Sequence, residues 1–155
     1  MKISSILDLQ KITNKIKNIL LPGDVIFLYG QIGVGKTTFV RLLINNYENE
    51  NNLKKSEVLS PTFNIVFEYE IKDFTIEHYD LYRLKNEKEI KNIGLFTNLE
   101  KNITIVEWQE LIKKKPINRI DLFFEYTKDM KERTLSIKTR GRLSGNKFRK
   151  QISTN

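Results

Sequence analysis

The chain has 155 residues, 27 of them Lys or Arg against 19 Asp or Glu, for a net charge of +8. With 39% apolar and 30% charged residues, it has the balance of a single globular domain with a buried core, not of a disordered or membrane-spanning chain. The lack of cysteine excludes disulfides and thiolate metal sites. No signal-like apolar core and no apolar run of roughly 20 residues is visible, so a cytoplasmic protein without a membrane partner is expected.

In chain order, Ile6, Leu9, Ile12, Ile16, Ile19 and Leu20 recur at helical spacing and predict an amphipathic helix stopped by Pro22-Gly23. Val25 to Tyr29 is apolar and β-prone throughout, the pattern of a parallel strand buried on both faces. The glycine-rich stretch Gly30 to Thr37 follows, then helical apolar spacing from Thr38 to Ile44, fading near Asn45-Asn46, and a polar loop over 49–55. Pro61 holds Ser60 extended, so Ser60-Pro61-Thr62-Phe63 reads as a strand-to-loop corner. Asn64 to Glu70 and Thr75 to Tyr82 read as two strands around Lys72-Asp73, a hairpin with weak turn chemistry because it lacks Gly and Asn. Asn86 to Asn92 is a short helix closed by Gly94. Ile103 to Val106 is the second strong buried-strand signal, and a short helix around 110–112 runs into lysines and Pro116. Two last strands, Ile120 to Tyr126 and Thr134 to Thr139, flank a charged turn. Strands joined by helices, then hairpin-like strands, predict an α/β fold: a mostly parallel central sheet with antiparallel additions, flanked by helices. Residues 1–140 form the expected domain. Beyond them Arg142, Lys147, Arg149 and Lys150 stand without an acidic residue. This 141–155 segment reads as a flexible solubilising tail, with a nucleic-acid contact as the alternative.

Gly30-Gln31-Ile32-Gly33-Val34-Gly35-Lys36-Thr37 has the spacing G-x-x-x-x-G-K-[ST] between a strand and a helix, the phosphate-binding loop of nucleoside triphosphatases. Glycines let the backbone turn its N–H groups onto a polyphosphate, and the helix start adds unsatisfied N–H groups and a positive dipole end. Gln31, Ile32, Gly33, Val34, Gly35, Lys36, Thr37 and Thr38 are therefore expected to wrap the phosphates, with Lys36 on the β- and γ-phosphates and Thr37 on Mg²⁺. Such a site needs an acidic residue at the end of a strand beside the loop. Glu107 meets that description, since a charge abutting so apolar a run needs a partner. Asp80 is balanced between the metal site and a salt bridge with Arg83. His78 reads as a hydrogen-bonded core histidine. Trp108 either covers a nucleotide or fills the core, the commoner role. Arg41, Arg83 and Arg133 are phosphate candidates, although pairing with surface carboxylates is commoner for arginine.

Gly30 to Phe39, Ser-Pro-Thr-Phe (60–63), His-Tyr-Asp-Leu-Tyr-Arg-Leu (78–84), Ile-Gly-Leu (93–95) and Val-Glu-Trp (106–108) occur in that order. Together they resemble the bacterial TsaE family, also called YjeE or YdiB, over roughly residues 5–140. The resemblance implies a P-loop NTPase-like fold and a small Mg²⁺-dependent ATPase required for N6-threonylcarbamoylation of adenosine 37 in tRNA. Its partners would be TsaD- and TsaB-type proteins, with tRNA reached indirectly or through the basic tail. It also implies ATP as the nucleotide and Lys36, Asp80 and Glu107 as catalytic residues. Thr37, Glu107 and Asp80 would lie at the metal, Ser60 and Thr62 on a switch-like loop sensing the γ-phosphate, and Arg133 at the nucleotide. Two residues depart from the family pattern: Gln31, where an acid is common, and Val34, where alanine is favoured. A P-loop kinase for a small metabolite and a nucleotide-gated binding module with little hydrolysis are the alternatives.

Overall fold

The computed structural model describes residues 1–145. Lys147, Arg149 and Lys150 of the expected tail lie outside the described residues. The strands are β1 (Lys2–Ile3), β2 (Val25–Tyr29), β3 (Val66–Ile71), β4 (Phe74–Asp80), β5 (Asn102–Glu107), β6 (Arg119–Tyr126) and β7 (Arg133–Arg140). They form one sheet in the order β1-β7-β6-β2-β5-β4-β3. The centre, β6-β2-β5-β4, is parallel, and β3, β7 and β1 add antiparallel edges. The helices are α1 (Ile6–Lys17), α2 (Lys36–Glu50) and α3 (Glu87–Asn92). The α/β fold with antiparallel additions is what the sequence implied.

Side-chain alternation assigns the two faces of the sheet. Ile26 and Leu28 of β2 and Ile103 and Ile105 of β5 join Leu9, Ile16, Phe39, Leu43 and Ile44 of α1 and α2 in the larger core. Val25 and Phe27 turn the other way, to Tyr79, Leu81, Val106 and Ile112 under the connection that carries α3. Every residue of β2 from Val25 to Leu28 is buried, which explains its unbroken apolar run.

Local signals set the element ends. Ser5 and Asp8 cap α1 reciprocally: the Ser5 side chain accepts from the Asp8 N–H, and the Asp8 carboxylate accepts from the Ser5 N–H, a capping box. Helix α2 outruns its expected end at Asn45-Asn46 by a full turn. The buried Tyr47 and Glu48 hold it: the Tyr47 hydroxyl donates to the Lys17 carbonyl of α1 (3.2 Å), and the Glu48 carboxylate accepts from the Ser56 N–H (3.1 Å). The β3–β4 hairpin forms across Lys72-Asp73 despite its weak turn residues, with Lys72 at φ 41°. The short helix expected around 110–112 is a 3₁₀ turn over Gln109–Leu111.

Two features had no sequence signal. Strand β1 adds to β7 through Lys2 and Ile3 alone. The first residues of the expected tail are packed: Leu143 is buried, and the Arg142 guanidinium pairs with the buried Asp24 and donates to the Ile19 carbonyl. Arg142 and Leu143 thus pack against the residues before them. Among the described residues no helix is long and apolar enough to cross a membrane.

Candidate functional site

The loop between β2 and α2 takes a shape that only glycine fits at its start. Gly30 sits at φ 135°, and a Cβ there would meet the Phe124 carbonyl oxygen at 2.5 Å and Val34 Cγ1 at 2.9 Å. Val34 is buried against this contact, so the departure from alanine fills space beneath the loop. Gln31 is exposed and its carbonyl accepts from Lys36. The loop uses its backbone and leaves its side chain unconstrained. Gly35 precedes α2 at φ 116°, and no side chain caps the helix start. The first N–H groups of α2 are left for an anion.

Lys36 is buried beside this cradle, 5% exposed. Its Nζ donates to the Gly30 and Gln31 carbonyls at 2.7 and 3.1 Å and lies 4.6 Å from the Trp108 ring centre. Burial pushes its pKa below the usual lysine value, and the charges of Glu107, Asp80 and Glu110 act in the opposite direction. The ammonium is held by loop carbonyls where phosphate oxygens would serve it better.

Strand register brings the two acids together. In the parallel β4–β5 ladder Asp80 lies opposite Glu107, and β5 in turn adjoins β2. Both carboxylates end their strands beside the loop, 2% and 3% exposed. Glu107 Oε1 accepts from Thr37 Oγ1 at 3.3 Å and from His78 Nε2 at 3.0 Å, and its Oε2 is 3.9 Å from Lys36 Nζ. Asp80 Oδ2 accepts from Ser60 Oγ (3.0 Å) and Thr62 Oγ1 (2.6 Å), and Oδ1 from the Tyr82 N–H (2.9 Å). Among the described residues Asp80 has no salt bridge to Arg83, whose guanidinium stands over the Phe63 ring at 5.1 Å.

Two clefts meet at Gly33, Gly35 and Thr38. One, of about 420 Å³, is lined by Lys36, Thr37, Ser60, Thr62, Asp80, Glu107 and Trp108. The other, of about 320 Å³, is lined by Ile3 to Ile6, Leu9, Phe124 and Arg133. Among the described residues no group of three or more His, Cys, Asp or Glu is placed to hold a metal. The donor set instead suits a hard cation that keeps waters and phosphate oxygens and takes one hydroxyl and one or two carboxylates, the habit of Mg²⁺.

Lys36, Thr37, Ser60, Thr62, Asp80, Glu107 and Trp108 thus line one cleft at the loop, whereas Arg41 and Arg83 stand away from it. Trp108 is half-buried, at φ 60°: it packs against the second core and also lines the cleft beside Tyr82 (4.9 Å between ring centres). Arg41 is structural, donating to the Val58 carbonyl. His78 is the buried, hydrogen-bonded histidine expected: fully buried, with Nε2 3.0 Å from Glu107 Oε1. Arg133 lines the second cleft, its guanidinium 5.4 Å from the Tyr126 ring centre. Sequence reading missed Ser4, Ser5 and Ile6 in that cleft. The Ser5-x-x-Asp8 spacing announced a helix start there, but only the fold brings it to the loop.

Residues 3–135 match the family model described as "Threonylcarbamoyl adenosine biosynthesis protein TsaE". A Rickettsia felis protein named "tRNA threonylcarbamoyladenosine biosynthesis protein TsaE" is 40% identical over 104 residues, covering 67% of this chain and 58% of the relative. A protein of the same name from Aquifex aeolicus is 37% identical over 113 residues, covering 73% and 77%. The chain thus spans less than two thirds of the rickettsial relative. The crystal structure of YdiB from Bacillus subtilis superposes with a TM-score of 0.74 at 23% identity, over 99% of this chain and 92% of that one, a likeness of fold.

Proposed function

Because the chain belongs to the TsaE family, we propose that it binds Mg·ATP at the Gly30–Thr37 loop and hydrolyses it in support of tRNA N6-threonylcarbamoyladenosine formation. In this reading it acts in the cytoplasm with TsaD- and TsaB-type proteins, driving or resetting their complex, and meets tRNA through them. The observation that carries the catalytic part is the pairing of Asp80 with Glu107 across adjacent strand ends, with Thr37 hydrogen-bonded to Glu107. A purely structural loop has no use for two buried acids at its mouth.

The N–H groups from Gln31 to Thr38 receive the phosphates. Lys36 leaves the Gly30 and Gln31 carbonyls for the β- and γ-phosphate oxygens. Thr37 and Glu107 would hold Mg²⁺, with Asp80 beside it. The ion, when bound, supplies charge neutralisation on the phosphates. Asp80 gives up the Ser60 and Thr62 hydroxyls and accepts instead from the attacking water, so the corner that carries those hydroxyls senses the γ-phosphate. The cleft at Ile3 to Ile6 and Arg133 takes the nucleoside end.

The test is ATP turnover by the wild type, Asp80→Ala and Glu107→Ala, with and without the TsaD- and TsaB-type partners. Partner-stimulated hydrolysis that both substitutions abolish supports the proposal, and intact hydrolysis in both variants removes it. Negligible turnover with ATP-controlled complex formation indicates a nucleotide-gated binding module. Phosphate transfer to a small hydroxyl compound without partners indicates a kinase.

A further inference from the structure

We infer that His78 is a positioning residue for Glu107: its imidazole holds Oε1 of the carboxylate and leaves Oε2 as the oxygen open to a divalent cation. This rests on the reading of Glu107 as a metal ligand. His78 precedes Asp80 by two residues on β4 and so shares its face. Its ring is 0% exposed. Nε2 lies 3.0 Å from Glu107 Oε1. Because a carboxylate only accepts, Nε2 carries the hydrogen. Nδ1 has no partner among the described residues. Among the described residues the imidazole therefore makes one hydrogen bond, to Glu107.

The packing gives no other reason for an imidazole here. Away from Asp80 and Glu107, the neighbouring residues on the same face, Ile76, Ile103 and Ile105, are fully buried and apolar. A leucine or phenylalanine would fill the space without leaving a buried nitrogen unpaired. Among the described residues Thr37 and Lys36 also bond or pair with the Glu107 carboxylate, both loop residues that a bound nucleotide and its cation would draw away. His78 alone is anchored on the opposite side, in the sheet. It is the partner that stays when the site fills, and outer partners of this kind are typically worth about 10–100-fold in metal affinity.

The chain has a single histidine, so ¹⁵N-histidine labelling reports this ring without assignment. The expected spectrum is the Nε2–H tautomer, its hydrogen bond kept when Mg²⁺ and a non-hydrolysable ATP analogue are added. An Nδ1–H tautomer overturns the inference. Binding of Mn²⁺ to the ADP-loaded protein, read by electron paramagnetic resonance, gives the energetic test. His78→Leu is expected to weaken Mn²⁺ about tenfold or more and His78→Gln, whose amide can donate to Oε1, to restore most of it. Metal-free ADP affinity should be unchanged in both. Wild-type Mn²⁺ affinity in His78→Leu, or an equal loss of metal-free ADP binding, overturns the inference. Glu107→Ala separates the layers. If it keeps Mn²⁺ affinity, the metal reading falls and the His78 role with it. If it loses affinity while His78→Leu does not, the role of His78 alone falls.

Discussion

The phosphate loop has two sides of different construction. On the acidic side, Asp80 and Glu107 stand at the ends of neighbouring parallel strands, each hydrogen-bonded two or three times by groups from the loop, the sheet or the Ser60–Thr62 corner. On the arginine side, Arg133 begins an outer antiparallel strand, and Ile3 is held there by a two-residue strand against it. Chemistry needs groups fixed to fractions of an ångström, whereas holding the nucleoside tolerates an edge. The acidic side should therefore govern turnover and the arginine side affinity.

The largest expected effect falls where both sides join. Gly30→Ala sets a Cβ 2.5 Å from a backbone oxygen at a left-handed φ. It should cost about 3–4 kcal/mol of stability, measured by chemical denaturation, and weaken nucleotide binding and turnover together. Next is Glu107→Ala. At saturating ATP its turnover should fall about 100-fold or more, roughly 2.7 kcal/mol of barrier, while metal-free ADP affinity stays within a few-fold. A third variant, Arg133→Ala, should do the reverse. Calorimetry is expected to show about tenfold weaker nucleotide binding, roughly 1.4 kcal/mol, with turnover at saturation preserved. If Arg133→Ala lowers saturated turnover as far as Glu107→Ala does, the division between the sides is wrong.

The smallest effect lies at mid-β4, on the face turned away from Asp80. Burial raises the pKa of Glu77 above the ordinary carboxylate value, against hydrogen bonds from Thr104 and Asn102 that lower it. A raised carboxyl pKa means that the folded state binds the proton more tightly. Its contribution is present below the unfolded pKa and lost as pH rises through the folded one. Glu77→Gln should thus raise Tm at pH 7 by roughly 1–2 °C, and the gain should vanish in acid below the ordinary carboxylate pKa. A thermal series across pH checks this, with nucleotide turnover unchanged.

What could be read from the sequence follows the distance over which each feature is specified. The loop was legible because strand, glycines and helix are contiguous. Glu107 was legible because a charge ends an apolar run that has to be buried. The setting of Asp80 was less so, since the hydroxyls it accepts from belong to residues 60 and 62, and its place opposite Glu107 depends on a parallel crossover between two strands. The second cleft was not legible. Lys2 and Ile3 are too few to show alternation, and their place is set by β7, far away in sequence (Lys2 opposite Thr134). The packed Leu143 and Arg142 were hidden in a stretch whose composition reads as a tail.

The pairing of Asp80 with Glu107 also governs where the chain can change length. Hydrogen-bonded strands keep count: one residue inserted within β4 or β5 would turn an acid to the opposite face of the sheet. The product would be a folded protein with its two acids facing apart. The exposed stretches of the connection between β4 and β5, 85–88 and 97–98, carry no such count, because lengthening a loop adds little closure entropy. Insertions should be accepted there while the strands on either side hold their length to the residue.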